Sequence, residues 1–267
     1  MYEAVSVELG DTPFEIFYIN MSPAARSPRW LVYKHEPVAH EARYTCTEDI
    51  EKYLGISFDD NEFDPEELIT AIEIVMPKLE KLYNSKVRHY VVKQHTLLVC
   101  RQFEKYAFEL NTKVMNIDLM RLVLAMHDIG KAIDRATQHI YTQSLIREFW
   151  SESPFTDYEL KLVEALLKDD HLGKFFQGKY DCNMLQEEIK KDAEELQIDA
   201  SCLLQLKMVL YQCDIASYTK DAGGLRYLEH MFVYENNKKT FNEENGLLAM
   251  SADYWSRYKQ LKSLIYE

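Results

Sequence analysis

Glycine and proline are scarce, at 8 and 7 residues in a chain of 267. So few turn-forming residues disfavour a fold with many elaborate turns and favour helices joined by simple connections. Cysteine offers no scaffold either. Cys46, Cys100, Cys182, Cys202 and Cys213 are odd in number, scattered and never spaced C-x-x-C, which fits reduced thiols in a cytoplasmic protein. No apolar run approaches the ~20 residues that span a bilayer, and Met1 to Val5 lacks the basic start and apolar core of a signal peptide. Positive charge is short as well: 31 Lys and Arg against 44 Asp and Glu give a formal net charge of −13. That balance argues against an extended nucleic-acid surface or an anionic membrane, though not against a small phosphorylated substrate, because a bound cation outweighs the global field locally. Phosphate loops of the form G-x-x-x-x-G-K-[ST], G-x-S-x-G elbows and H-E-x-x-H helices are all missing.

What is present suits a soluble globular chain of one large domain with a small appendage: 47% hydrophobic and 28% charged residues. Residues 1 to 60 form the appendage, a small β-containing element. Val5, Val7 and Leu9 alternate with polar residues, Asp11-Thr12-Pro13 punctuates, Phe14 to Ile19 follows, and Trp30 to Tyr33 makes a third short strand. His35 and His40 in its exit loop read as surface residues. From residue 61 to 267 the pattern is helical. Asp64-Pro65 caps a helix to about Leu82. Further helices are expected over Val87 to Leu110, Asn116 to Ile129, Thr137 to Trp150, Thr156 (a capping box with Glu159) to Asp169, Gln186 to Gln197, Ala200 to Thr219, Leu225 to Tyr234 and Gly246 to Tyr266. The segment from His171 to Tyr180 reads as a loop, and the charged 186–197 helix as a solvated one.

The centre of this arrangement is Ala125-Met126-His127-Asp128-Ile129-Gly130-Lys131. An imidazole and a carboxylate stand together at the end of a buried apolar helix, where they are costly unless paired or coordinated. Gly130 reads as the left-handed stop of that helix. A single histidine near a helix end is usually an ordinary core or surface residue. Here, however, His95, His127, Asp128, His139, His171 and Asp214 fall on different helices or their termini.

Together Gln94-His95-Thr96, His127-Asp128-Ile129-Gly130-Lys131 and Asp214-Ile215-Ala216-Ser217 resemble the HD-domain superfamily in its HDIGK form, over roughly residues 85 to 235. The resemblance implies a mainly α fold, an HD-domain-like all-helical bundle, with His95, His127, Asp128 and Asp214 holding a first metal ion. It places His139 and His171 where two-metal members carry extra histidines, so that Asp128 would bridge two ions. Such a donor set suits Mn, Fe, Co, Ni or Zn, and Mg less well. The implied activity is that of a metal-dependent phosphohydrolase or phosphodiesterase. It would act on a nucleotide or cyclic dinucleotide through a metal-activated water, with Lys131 beside the phosphate. Arg135, Lys174, Ser217 and Arg226 are weaker candidates for substrate contact, and Tyr211, Tyr218, Tyr227 and Tyr234 are aromatic neighbours that ordinarily pack. An HD-fold diiron oxygenase, needing both His139 and His171, is the alternative chemistry, and a non-catalytic nucleotide-sensing module is the third reading.

Overall fold

The computed structural model describes residues 44–59, 62–106, 114–224, 228–242 and 244–266 with their side chains, and the backbone of three strands before them. The chain divides into two compact units, Met1–Arg43 and Tyr44–Glu267. In the first, β1 (Glu3–Leu9), β2 (Thr12–Ile19) and β3 (Arg29–Lys34) form an antiparallel sheet in sequence order. Val5 lies opposite Ile16, and Ile16 opposite Val32.

The second unit is mainly helical. Its elements are α1 (Thr47–Leu54), α2 (Pro65–Val75), α3 (Lys78–Tyr83), a hairpin of β4 (Lys86–Val87) and β5 (Tyr90–Val91), then α4 (Val92–Lys105), α5 (Ile117–Met126), α6 (Gln138–Ser151), α7 (Asp157–Leu167), α8 (His171–Phe176), α9 (Cys182–Leu196) and α10 (Ala200–Ser217). After these come β6 (Tyr234–Glu235), β7 (Lys238–Lys239), β8 (Phe241–Asn242), β9 (Leu247–Leu248) and α11 (Ala252–Tyr266). Helix α1 belongs to this unit although it precedes residue 60, because Ile50 and Leu54 are buried in its core. Among the described residues no helix is long and apolar enough to cross a membrane.

Several boundaries differ from the sequence reading, each for a local reason. The helix expected from Asp64 to Leu82 starts as foreseen, with the Asp64 carboxylate accepting from Glu66 N at 2.9 Å. It breaks at Met76, however, because the residue before Pro77 is pushed out of helical geometry (φ −131°, ψ 80°), and α3 restarts behind it. Helix α4 begins at Val92 rather than Val87, since Lys86-Val87 pairs with Tyr90-Val91 around Arg88 at φ 55°. His171 to Phe176 is a short helix, not a loop. The helix expected over 225–234 is not formed in its described part. From Leu228 the chain makes a 3₁₀ turn and then the β6–β7 hairpin, whose Asn236-Asn237 turn has both residues at positive φ. Residues 225–227 lie outside the described residues.

Helix α5 is buried from Asp118 to Met126, and its two charged residues are satisfied rather than stranded: Asp118 accepts from Thr47 Oγ1 at 2.6 Å. Arg121, 3% exposed, forks onto Glu104 at 2.9 and 3.0 Å, reaches the Phe58 carbonyl and stacks on the Phe63 ring. Asn116 caps the helix by accepting from Leu119 N at 2.7 Å. At α7 the expected capping box is present, and Glu159 also accepts from Thr45 N and Thr45 Oγ1, tying the start of the unit to this helix.

Candidate metal centre

The apolar stripe of α4 buries Val92, His95, Thr96, Val99 and Phe103, and this puts the His95 imidazole against α10. Helix α5 delivers His127 at its end, still in helical geometry (φ −55°, ψ −35°). Asp128 then turns into the bridge region (φ −109°, ψ 2°), where a 3₁₀ turn from Ile129 to Ala132 begins. That change of pitch lets two adjacent side chains point at one place. Asp214, near the end of α10, approaches from a third side.

His95 Nε2 lies 3.1 Å from Asp128 Oδ2 and 3.0 Å from Asp214 Oδ1, and His127 Nε2 lies 3.5 and 3.8 Å from the same oxygens. One donor atom from each of the four residues falls within 4.8 Å of the others. The group can therefore hold a metal ion.

The hydrogen bonds around it show which nitrogens face inward. His127 Nδ1 is 2.7 Å from the Leu124 carbonyl oxygen, which only accepts, so Nδ1 carries the proton and Nε2 the lone pair. Ser217 Oγ donates its one proton to the Asp214 carbonyl at 2.6 Å. It must therefore accept from His95 Nδ1, 3.3 Å away, which again leaves the Nε2 lone pair inward. Yet His127 Nε2 and Asp214 Oδ1 are buried with no hydrogen-bond partner, although Asp214 Oδ1 is only 3.0 Å from His95 Nε2. Close atoms that are misaligned for bonding to each other are aimed at a common centre. The Tyr218 hydroxyl, 3.3 Å from His95 Nε2, can meet one of these lone pairs, but lone pairs that face carboxylate oxygens favour a cation between them, a proton or a metal ion.

The electrostatics agree. Burial alone would depress His95, but the Asp128 and Asp214 carboxylates outweigh it and raise its pKa to about 9. Against its own burial, Asp128 is held well below the carboxylate range by His127 and Lys131, and Asp214 by His127 and His95. Lys131 bonds the Asp128 carboxylate through its ammonium, and despite burial its pKa is raised by Asp128 and Asp214. Tyr218 stacks on the His95 ring at 4.7 Å and Tyr90 leans on it at 4.9 Å.

The centre opens onto a cavity of about 590 Å³ that His127, Asp128, Lys131 and Asp214 line. The other residues singled out in the sequence fall as follows. His139 lines the cavity from the first turn of α6 but does not join the four-residue group. His171 lines it too, in a separate group with Asp169 and Glu188. Its Nδ1 is 2.8 Å from Glu188 Oε2, and its ring stacks on Tyr180 at 4.2 Å. Arg135 and Lys174 are exposed on the cavity wall. Ser217 is fully buried behind His95 and faces a smaller cavity of about 280 Å³ on the other side. Arg226, Tyr227, His35 and His40 lie outside the described residues. Tyr211 lines the large cavity while stacking on Phe176 at 5.0 Å, and Tyr234 is half-buried.

Gly130 does not stop a helix in left-handed geometry, as its φ is not positive. A Cβ there would meet the Gln138 carbonyl oxygen at 2.1 Å and Thr142 Oγ1 at 2.6 Å, so glycine is needed for close approach of the turn to α6. Sequence reasoning also missed Asp169, Glu188, Lys168, Asp192 and Lys207 on the wall. The Asp169-Asp170-His171 run was a usable signal. Glu188 and Asp192 were hidden in a charged helix that is not simply solvated, since Leu185, Ile189, Asp192 and Leu196 are buried. No protein-family model matches the chain, and no curated protein matches it.

Proposed function

We propose that the helical unit is an HD-type metal-dependent phosphohydrolase that cleaves a phosphoester or phosphoanhydride of a nucleotide. The observation that carries this reading is the convergence of two imidazole lone pairs and two carboxylates, with His127 Nε2 and Asp214 Oδ1 left unbonded, at the floor of an open cavity. The mixed nitrogen and oxygen donors suit Mn, Fe, Co, Ni or Zn better than Mg. His95, His127, Asp128 and Asp214 would hold a divalent ion, which would supply an acidified water and offset charge on phosphoryl oxygens. A second ion has a candidate set in Asp169, His171 and Glu188. There Glu188 already accepts from Tyr180 and pairs with His171, so the first set is the better fit.

The chain's own groups divide the remaining work. Ser217 and the Leu124 carbonyl fix the tautomers of His95 and His127 and so keep both Nε2 atoms basic. Lys131, 15% exposed at its side chain, brings a permanent positive charge to the edge of the centre, where a non-bridging phosphate oxygen would sit. Arg135 and Lys174 are exposed at the rim, where both can attract an anionic substrate. Tyr90 and Tyr218 pack against the His95 ring and hold its orientation.

Loading the protein with Mn and offering bis(4-nitrophenyl) phosphate and a panel of nucleotides tests the reading. Hydrolysis is expected, and Asp128→Ala should abolish it. Activity that survives this substitution sinks the proposal, as does a failure to hydrolyse any phosphoester with Mn, Fe, Co, Ni or Zn.

A further inference from the structure

The wall of the large cavity away from the metal centre carries two charged side chains that packing alone leaves unsatisfied. Asp192 on α9 and Lys207 on α10 are each 7% exposed, and both line the cavity. Asp192 Oδ1 accepts from Lys168 at 2.6 Å, but its other oxygen, Oδ2, is buried with no partner. Lys207 donates to the Ala165 carbonyl at 2.6 Å, which uses one of its three N–H groups. A buried carboxylate oxygen without a donor is costly, so the fold retains here a polar pair that a cavity occupant can complete.

We propose that Asp192 and Lys207 form a subsite that binds an uncharged group of the substrate carrying a hydrogen-bond donor next to an acceptor. The donor satisfies Asp192 Oδ2 and the acceptor takes a free N–H of Lys207. A phosphate fits poorly, because its negative charge repels the Asp192 carboxylate. A vicinal diol of a sugar fits, and so does the amide or amidine edge of a nucleobase. Leu166, Leu185 and Ile189 line the same cavity and supply apolar surface for the body of either group. The subsite deepens the phosphohydrolase reading, since it gives the cavity one end for the scissile phosphate and another for the neutral part of the molecule.

Saturation-transfer NMR on the full chain provides the test, using D-ribose, the four common ribonucleosides and their 2′,3′-dideoxy forms as probes. None of these contains phosphate, so binding is read without turnover. Ribose and ribonucleosides should bind and dideoxynucleosides should not if the diol is the recognised group. Equal binding of a dideoxynucleoside identifies the base edge instead. In either case Asp192→Asn, which keeps the Lys168 bond but replaces the acceptor, should weaken binding roughly tenfold to a hundredfold. Lys207→Met, which keeps the length of the side chain, should do the same. Far-UV circular dichroism and thermal melting check that both variants are folded. If no probe binds, or if both folded variants bind like the wild type, the pair is satisfied by water and the subsite is refuted. Turnover of the nitrophenyl ester would still stand in that case, and its loss would leave the binding result intact.

Discussion

Replacing Gly130 with alanine tests how the turn after His127 and Asp128 is held. The added Cβ would sit 2.1 Å from the Gln138 carbonyl oxygen, 2.6 Å from Thr142 Oγ1 and 2.7 Å from Thr142 N. Two of these are backbone atoms of α6, so no rotamer change relieves the clash; the turn and the helix must separate by about an ångström to reach normal contact. Overpacking of this kind costs about 1–3 kcal/mol. Separation also removes the 3.1 Å hydrogen bond from Gly130 N to Thr142 Oγ1, a net loss of about 1 kcal/mol. The sum, about 2–4 kcal/mol, corresponds to a drop in melting temperature of roughly 5–15 °C for a unit of this size. Gly55 supplies the control. It has φ +71° with open space around its Cβ, so alanine there carries only the left-handed penalty of about 1–2 kcal/mol. Thermal melts followed by far-UV circular dichroism should therefore order the variants as wild type, Gly55→Ala, Gly130→Ala. Adding Thr142→Ala should not restore Gly130→Ala, because the closest contact is to the Gln138 backbone. The reasoning fails if Gly130→Ala melts at or above Gly55→Ala, or if the double variant recovers the wild-type melting temperature.

Other measurements probe the centre directly. Since the folded pKa of His95 is raised from 6.5 to about 9, its contribution to the stability of the metal-free protein is complete below pH 6.5 and lost as pH rises through about 9. The difference in stability between wild type and His95→Gln should thus shrink by up to about 3 kcal/mol across that window, and a difference that is flat or grows with pH refutes the assignment. Asp128 and Asp214, with depressed pKa values, contribute above the ordinary carboxylate range and lose this only in acid, so they leave the alkaline window clear. Ser217→Ala removes the acceptor that fixes the His95 tautomer, and Mn affinity measured by titration calorimetry should fall about tenfold to a hundredfold; an affinity within twofold of wild type would show that Ser217 only packs.

Which features were legible in the sequence follows from how far apart their causes lie. The His127-Asp128 pair, the Asn116 and Thr156 caps and the buried stripe of α4 are set by residues within a turn or two of one another, and periodicity exposes them. The break at Pro77 and the Asn236-Asn237 hairpin were local as well, and turn chemistry given full weight against helical periodicity would have found them. Glu188 and Asp192 are a different matter. In a helix with many charges, nothing in the composition says which acidic residue turns inward, and only the packing of α9 on α10 and α7 settles it. The place of His139 depends on a contact that no spacing displays. Because Gly130 brings the turn after Asp128 against Gln138 and Thr142, the first turn of α6 is clamped beside the metal centre, and His139 rides on that turn to the cavity wall. The glycine thus couples His127 and Asp128 to the cavity wall that carries His139. Widening this contact with alanine should therefore shift the wall and the centre together, not the centre alone.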